Sequence, residues 1–134
     1  MNEKIVVSGK RKASVARAVI SDGTGKITID KKPYSLLPFF RKLIIEEPVR
    51  IAREKLGHLN YDIDVVIRGG GHESRIEAAR LAIARAIIEA TKNKELKKDY
   101  VAYDRNMLVA DIRRKETYKP GDSKARSKRQ KSYR

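Results

Sequence analysis

The sequence predicts an α+β fold with a basic extension. Three observations carry this. Short stretches of period-two hydrophobicity occupy the first thirty residues and recur at Tyr61 to Arg68. Longer stretches of helical period fill the spaces between and after them. The last 22 residues, Arg113 to Arg134, hold ten basic residues, two acids and only three hydrophobic residues, Tyr118, Ala125 and Tyr133. Strands followed by helices, then a strand followed by helices, is not the strict alternation of a doubly wound sheet.

Lys4 to Val7 reads as a first short strand and Gly9 to Lys12 as a basic turn. Ala13 to Ser21 is a second strand, with Ala16, Ala18 and Ile20 on one face and Val15, Arg17 and Val19 on the other; the arginine argues that this second face is not fully buried. Asp22-Gly23-Thr24-Gly25 is a tight connection to a third strand, Lys26 to Asp30, and the two are expected to pair as a hairpin. Pro33 to Pro38 is an irregular entry to helical sequence. Phe39 to Glu47 reads as one helix and Pro48 to Leu56 as the next, because proline suits a first helical turn, where its missing N–H is not needed. Gly57 is a natural stop.

Tyr61, Ile63, Val65 and Ile67 alternate with polar residues as a fourth strand. Gly69-Gly70-Gly71 then leads into the longest helix, about His72 to Thr91, whose stripe is Ile76, Ala79, Ile83, Ala86, Ile87 and Ala90. Ser74 and Glu77 have capping-box spacing near its start. A last helix, about Lys94 to Tyr103, is expected to be packed by Tyr100, Tyr103 and Leu108.

The chain has 134 residues, enough for one domain and a real core. We place the globular part at 1–111 and the tail at 112–134. Apolar runs are too short to span a bilayer, and the first residues lack the pattern of a signal peptide, so a cytoplasmic protein with no membrane partner is expected. There is no cysteine, which excludes disulfides and thiolate metal sites.

With 32 Lys and Arg against 17 Asp and Glu, the net charge is +15 and the pI about 10.2, which marks a polyanion partner. The tail cannot bury enough apolar surface to offset its chain entropy and is expected to be disordered when free. Lys124, Arg126, Lys128 and Arg129 alternate there with Ser, Ala and Gln, so the segment can thread between phosphates and displace condensed cations. About six contacts to single-stranded RNA would give a salt slope of about −4.

A second cluster, Lys10, Arg11 and Lys12, stands at the mouth of a strand without phosphate-loop spacing. Arg68-Gly69-Gly70-Gly71-His72 would let a helix N-terminus approach another backbone and favour an anion there. Two histidines, His58 and His72, and no cysteine leave no constellation for an enzyme, a metal or a cofactor. Asp62 and Asp64 share a strand face and could hold a divalent ion, but a solvated polar face explains them better.

GKRKASVARA, IRGGGHESRIEAARLAIARAI and KRQKSYR occur in this order, with DRNMLVADIRRKE between the last two. Together they resemble the universal family of ninth proteins of the small ribosomal subunit, in its archaeal and eukaryotic-type form, over essentially the whole chain. The resemblance implies a four-stranded mixed sheet backed by helices with a left-handed βαβ crossover, against the general right-handed rule. It implies a non-enzymatic ribosomal constituent bound to small-subunit rRNA in the head, beside other ribosomal proteins, with no self-association. The rRNA contacts would fall on Lys10, Arg11, Lys12, Arg17, Arg68, Gly69, Gly70, Gly71, His72 and Arg75. They would continue along Arg113, Arg114, Lys115, Lys124, Arg126, Lys128 and Arg129.

The end of the tail would approach the anticodon-loop phosphates of peptidyl-site tRNA through Lys131, Tyr133 and Arg134. The chain departs from the family at Lys119-Pro120-Gly121-Asp122-Ser123, where relatives are Gly/Arg-rich, and at Arg129, where they carry an aromatic residue. The terminal QKSYR does not depart. Two other readings are an RNA-processing particle protein and a nucleoid packaging protein; neither accounts for three ordered motifs.

Overall fold

The computed structural model describes residues 3–128. Five strands form one mixed sheet in the order β1 (Ile5–Arg11), β2 (Ser14–Asp22), β5 (Tyr61–Arg68), β3 (Ile27–Ile29), β4 (Lys32–Pro33). β1 with β2, β2 with β5, and β3 with β4 run antiparallel; β3 and β5 run parallel. The strand beyond the expected four is β4, a two-residue edge at the start of the segment that reads as irregular from sequence.

Residues 9–11 extend β1 instead of forming a turn. The reversal is confined to Lys12 and Ala13, with Lys12 at φ 51°. β1 and β2 therefore make the hairpin.

The expected pairing of β2 with β3 does not occur, because β5 lies between them. Asp62 of β5 caps the Asp22–Lys26 turn: its Oδ1 accepts the backbone N–H groups of Thr24, Gly25 and Lys26 at 2.8, 3.1 and 3.0 Å. Those donors hold its carboxyl below the usual carboxylate range, that of Lys26 most strongly. Asp64 accepts from the Thr28 hydroxyl. The two aspartates thus tie the turn and β3 to β5, and no cluster suited to a metal occurs among the described residues.

The two helices expected around Pro48 are one, α1 (Phe39–Leu56). An interior proline costs a helix about 3 kcal/mol. Here Ile45, Pro48, Val49 and Ala52 form one buried stripe, so breaking the helix would forfeit more burial than the proline costs. Gly57 ends the helix at φ 77°, its N–H donating to the Arg53 carbonyl.

α2 (His72–Thr91) crosses β1, β2 and β5, and α1 packs against α2 and against α3 (Lys94–Tyr103). The predicted stripe of α2 is buried except for Ala90, which is half-buried. Gly9 is needed where α2 meets β1, because a Cβ there would fall 2.7 Å from the Ala82 nitrogen and against the Ala78 carbonyl. Tyr100 is fully buried and donates to the Pro48 carbonyl at 2.7 Å, while Tyr103 is 59% exposed and does not pack the helix as expected.

The capping box at Ser74 and Glu77 is not formed. Gly71 is the N-cap, without a side-chain cap, and Ser74 is buried in the first turn.

Candidate nucleic-acid interface

The topology gathers the basic segments at one end of the molecule. β1, β3 and β5 finish there, β2 begins there, and α1 and α2 both start there. Both helices thus turn the positive ends of their dipoles the same way. Among the described residues, neither has a side chain capping its first N–H groups.

The β1–β2 turn is bound to the triglycine segment. A Cβ on Gly69 would stand 2.7 Å from the Ala13 carbonyl, and one on Gly70 would strike the Ser14 hydroxyl; both glycines have φ above 70°. Ser14, fully buried, donates to the Gly69 carbonyl at 3.0 Å and lies 2.8 Å from the Ser74 hydroxyl. Ser74 in turn reaches the Gly71 carbonyl at 3.1 Å.

Among the described residues, the helices cover one face of the sheet and leave the other open. On that open face the register aligns Lys10, Val15 and Arg68 in one row and Ser8, Arg17 and Val66 in the next. Lys10, Arg17 and Arg68 are exposed, as are Val15 and Val66 between them. Lys12, Gly69, Gly70, Gly71 and His72 are exposed at the same end.

The start of the tail returns to this end. Arg85 donates to the carbonyls of Leu108 and Ser8 at 2.9 and 3.0 Å, fastening the segment after α3 to β1. Arg11 donates to the Arg113 carbonyl at 3.2 Å, and Arg114 to the Lys12 carbonyl at 2.7 Å. The result is an open groove of about 790 Å³ lined by Arg11, Lys12, Ala13, Arg113, Arg114 and Lys115. Just before the groove-lining Arg113, Asp111 is held well below the usual carboxylate range, chiefly by hydrogen bonds from Arg113, with Arg11 3.6 Å away.

The predicted residues do not all stand free. Arg11 is enclosed by Glu77 at 2.6 Å, Asp111 and the Arg113 carbonyl. Arg75 is held by Asp30 at 2.8 Å and by the Ile67 carbonyl. Both therefore position neighbours first. Lys124, Arg126 and Lys128 are exposed; the Arg126 side chain pairs with Glu116 at 2.8 Å, while Lys128 meets Asp122 only through an antiparallel backbone bridge. Arg129, Lys131, Tyr133 and Arg134 lie outside the described residues.

Sequence reasoning did not include Lys31 of the β3–β4 turn and Lys32, the first residue of β4. They are exposed at this same end, with Lys31 at φ 67°. The adjacent lysine pair was the available signal, but its location depended on β3 ending beside β5.

The family model described as Ribosomal protein S9/S16 matches residues 9–134. The chain belongs to this family. Among relatives, the small ribosomal subunit protein uS9 of Methanococcus vannielii is 48% identical over 129 residues, covering 94% of this chain and 95% of the relative. The protein of the same name from Picrophilus torridus is 45% identical over 136 residues and covers all of both chains.

The archaeal-type resemblance is borne out by these relatives. As an S9/S16 chain it is a ribosomal protein, structural and not enzymatic. No helix among the described residues is long and apolar enough to cross a membrane.

Proposed function

We propose that this protein is a structural constituent of the small ribosomal subunit that docks its basic end on rRNA of the subunit head. Residues 1–111 are the docking body and 112–134 an extension that runs on toward peptidyl-site tRNA, with Lys131, Tyr133 and Arg134 nearest its phosphates. Neighbouring ribosomal proteins of the head complete its surroundings.

One observation carries the reading: the β1–β2 turn, which the triglycine segment abuts, and the departing tail form a groove with five basic lining residues. Lys10, Lys12, Arg17, Arg68, Arg114 and Lys115 supply phosphate contacts. The glycines and the N-terminus of α2 let backbone N–H groups approach an anion. Arg11 and Arg75 act mainly by holding the turn and the start of α2 in place. Such a surface binds by neutralising phosphate and positioning its partner, so no reaction chemistry is required of it.

The test is incorporation of a Lys10→Glu, Lys12→Glu, Arg68→Glu variant into small subunits, followed by sedimentation in high salt. Loss of the variant from the subunit peak is expected. Retention equal to wild type would overturn the assignment of this surface to rRNA. For the tail, Arg134→Glu is expected to weaken tRNA retention in the peptidyl site with assembly intact; unchanged tRNA affinity would remove that role.

A further inference from the structure

An apolar patch stands at the edge of the basic end, and the packing of the body does not account for it. Leu36, Phe39 and Phe40 are 72%, 69% and 78% exposed. The two phenylalanine rings meet edge to face, with centroids 5.6 Å apart and planes at 71°. In that arrangement one ring is covered by its neighbour's edge while the other keeps its flat face free.

The surroundings are cationic. From Lys31 to Lys42 there are four basic residues and no acid, and of the four Lys42 is paired with Glu46 of its own helix at 3.7 Å. The carboxylates that approach from other elements are already paired: Asp30 with Arg75, and Glu73 with Arg41 at 2.9 Å. Lys31 and Lys32 remain exposed, and Lys32 lines a cavity together with Leu36 of the patch.

A cavity of about 430 Å³ lies alongside, between the β3–β4 segment and the start of α2. Lys32, Pro33, Leu36, Leu37, His72 and Arg75 contribute to its lining. Its size is in the range of small-molecule sites. The Arg41–Glu73 pair joins the start of α1 to the first turn of α2, directly after the triglycine segment. The patch is therefore continuous with the proposed phosphate-binding surface.

We propose that Leu36, Phe39 and Phe40 form a stacking platform for an unpaired RNA nucleotide, with Lys31 and Lys32 holding the flanking phosphates. This rests on the rRNA-docking reading above and adds to it a preference for a bulged or looped base over continuous duplex. A double helix offers its phosphates to lysines but hides its base faces, whereas an extruded base presents a face that an aromatic ring can cover. The bare cationic rim favours a nucleotide over the apolar side chain of a protein neighbour, because the platform and its two lysines match a base and its phosphates together.

The probes are a fully paired RNA duplex and the same duplex carrying one bulged 2-aminopurine, each titrated with full-length protein. Wild type is expected to bind the bulged RNA more tightly and to quench its fluorescence. Phe39→Ala with Phe40→Ala is expected to lose about tenfold in affinity for the bulged RNA, together with the quenching. Its duplex affinity should not change, and tryptophan at both positions should restore the bulge preference. Both side chains are mostly exposed, so the body should fold; a wild-type circular dichroism melt confirms that.

Wild-type affinity and quenching in the double alanine variant would overturn the platform. So would benzoylphenylalanine in place of Phe40 cross-linking to a protein in purified small subunits, whereas a cross-link to rRNA supports it. Lys10→Glu with Lys12→Glu separates the two ideas. If that variant still binds both RNAs normally, the basic-end reading fails, whatever the phenylalanines do.

Discussion

The hydroxyls of Ser14 and Ser74, sixty positions apart in sequence, lie 2.8 Å apart in the interior and reach the Gly69 and Gly71 carbonyls at 3.0 and 3.1 Å. Two hydroxyl protons serve three contacts, so at most two of the three are donated at once. The pair locks the β1–β2 turn to the triglycine segment, which fixes where the exposed cations of both stand. Ser14→Ala removes one member and leaves the other buried with fewer partners. A loss of about 1–2 kcal/mol in unfolding free energy is expected by urea denaturation. RNA affinity should fall with it, because the turn loosens.

Gly70 is the tightest position in this arrangement. Its φ of +71° is left-handed, and an added Cβ would meet both the Ser14 and the Ser74 hydroxyls. Alanine in that backbone region costs about 1–2 kcal/mol before any clash. Gly70→Ala is therefore expected to destabilise more than Ser14→Ala. Gly71, which has open space around its Cβ position and no positive φ, should accept alanine with little change. Comparing the two melts checks the distinction.

Asp111 fixes the exit of the tail. Its carboxylate accepts from the Arg113 side chain at 2.6 and 2.9 Å and from the Arg113 backbone N–H at 2.9 Å. These bonds favour the ionised form, so its folded pKa lies well below the ordinary value of about 3.9. The stabilisation is full above the unfolded-state value and disappears as pH falls through the depressed folded value. A carboxyl NMR titration should place Asp111 below the other aspartates. In Asp111→Asn, backbone order parameters should drop over 109–115 and stay unchanged in the strands.

Tyr100 gives the opposite pH signature. Burial raises its phenol well above the ordinary value of about 10. The neutral form is favoured in the fold, so this contribution is present below the unfolded pKa and lost as pH rises toward and through the folded one. Alkaline difference spectroscopy should show Tyr100 ionising only with unfolding. Tyr100→Phe removes the bond to the Pro48 carbonyl and should cost about 1 kcal/mol, read as a lower melting temperature.

The alternation at Tyr61–Arg68 and the helical stripe of α2 made the sheet's centre and its cover readable, because each buries one periodic face. The β2–β3 hairpin misread has a physical cause. The Asp22–Lys26 turn is tight, but Asp62 holds it from a strand some forty residues later, and nothing local encodes that insertion. Pro48 misled in the same way: its local preference was outweighed by burial on both sides of it. The basic clusters were visible as composition. That Arg11 and Arg75 are tied to Glu77 and Asp30, while Lys31 and Lys32 have no ion-pair partner among the described residues, depends on tertiary neighbours that the clusters themselves do not encode.

The groove and the tail should differ in how salt weakens RNA binding. Each phosphate contact to a single strand contributes about 0.7 to the slope of log K against log salt. Replacing Lys10, Lys12 and Arg68 with Gln removes three exposed cations from the basic end, so the slope should become shallower by about 2. Truncation after Asp111 removes all ten basic residues of the tail at once and should flatten it much further. If body and extension bind independently, the two reductions add, because distant sites without shared partners are additive. The Arg114 bond to the Lys12 carbonyl predicts a departure from additivity. Without the tail the β1–β2 turn loses that partner, so the Gln substitutions should matter less in the truncated protein than in the full chain. Fluorescence anisotropy of the four proteins on one single-stranded RNA, across a salt series, measures all three quantities. Strict additivity would show that the turn keeps its place without the tail.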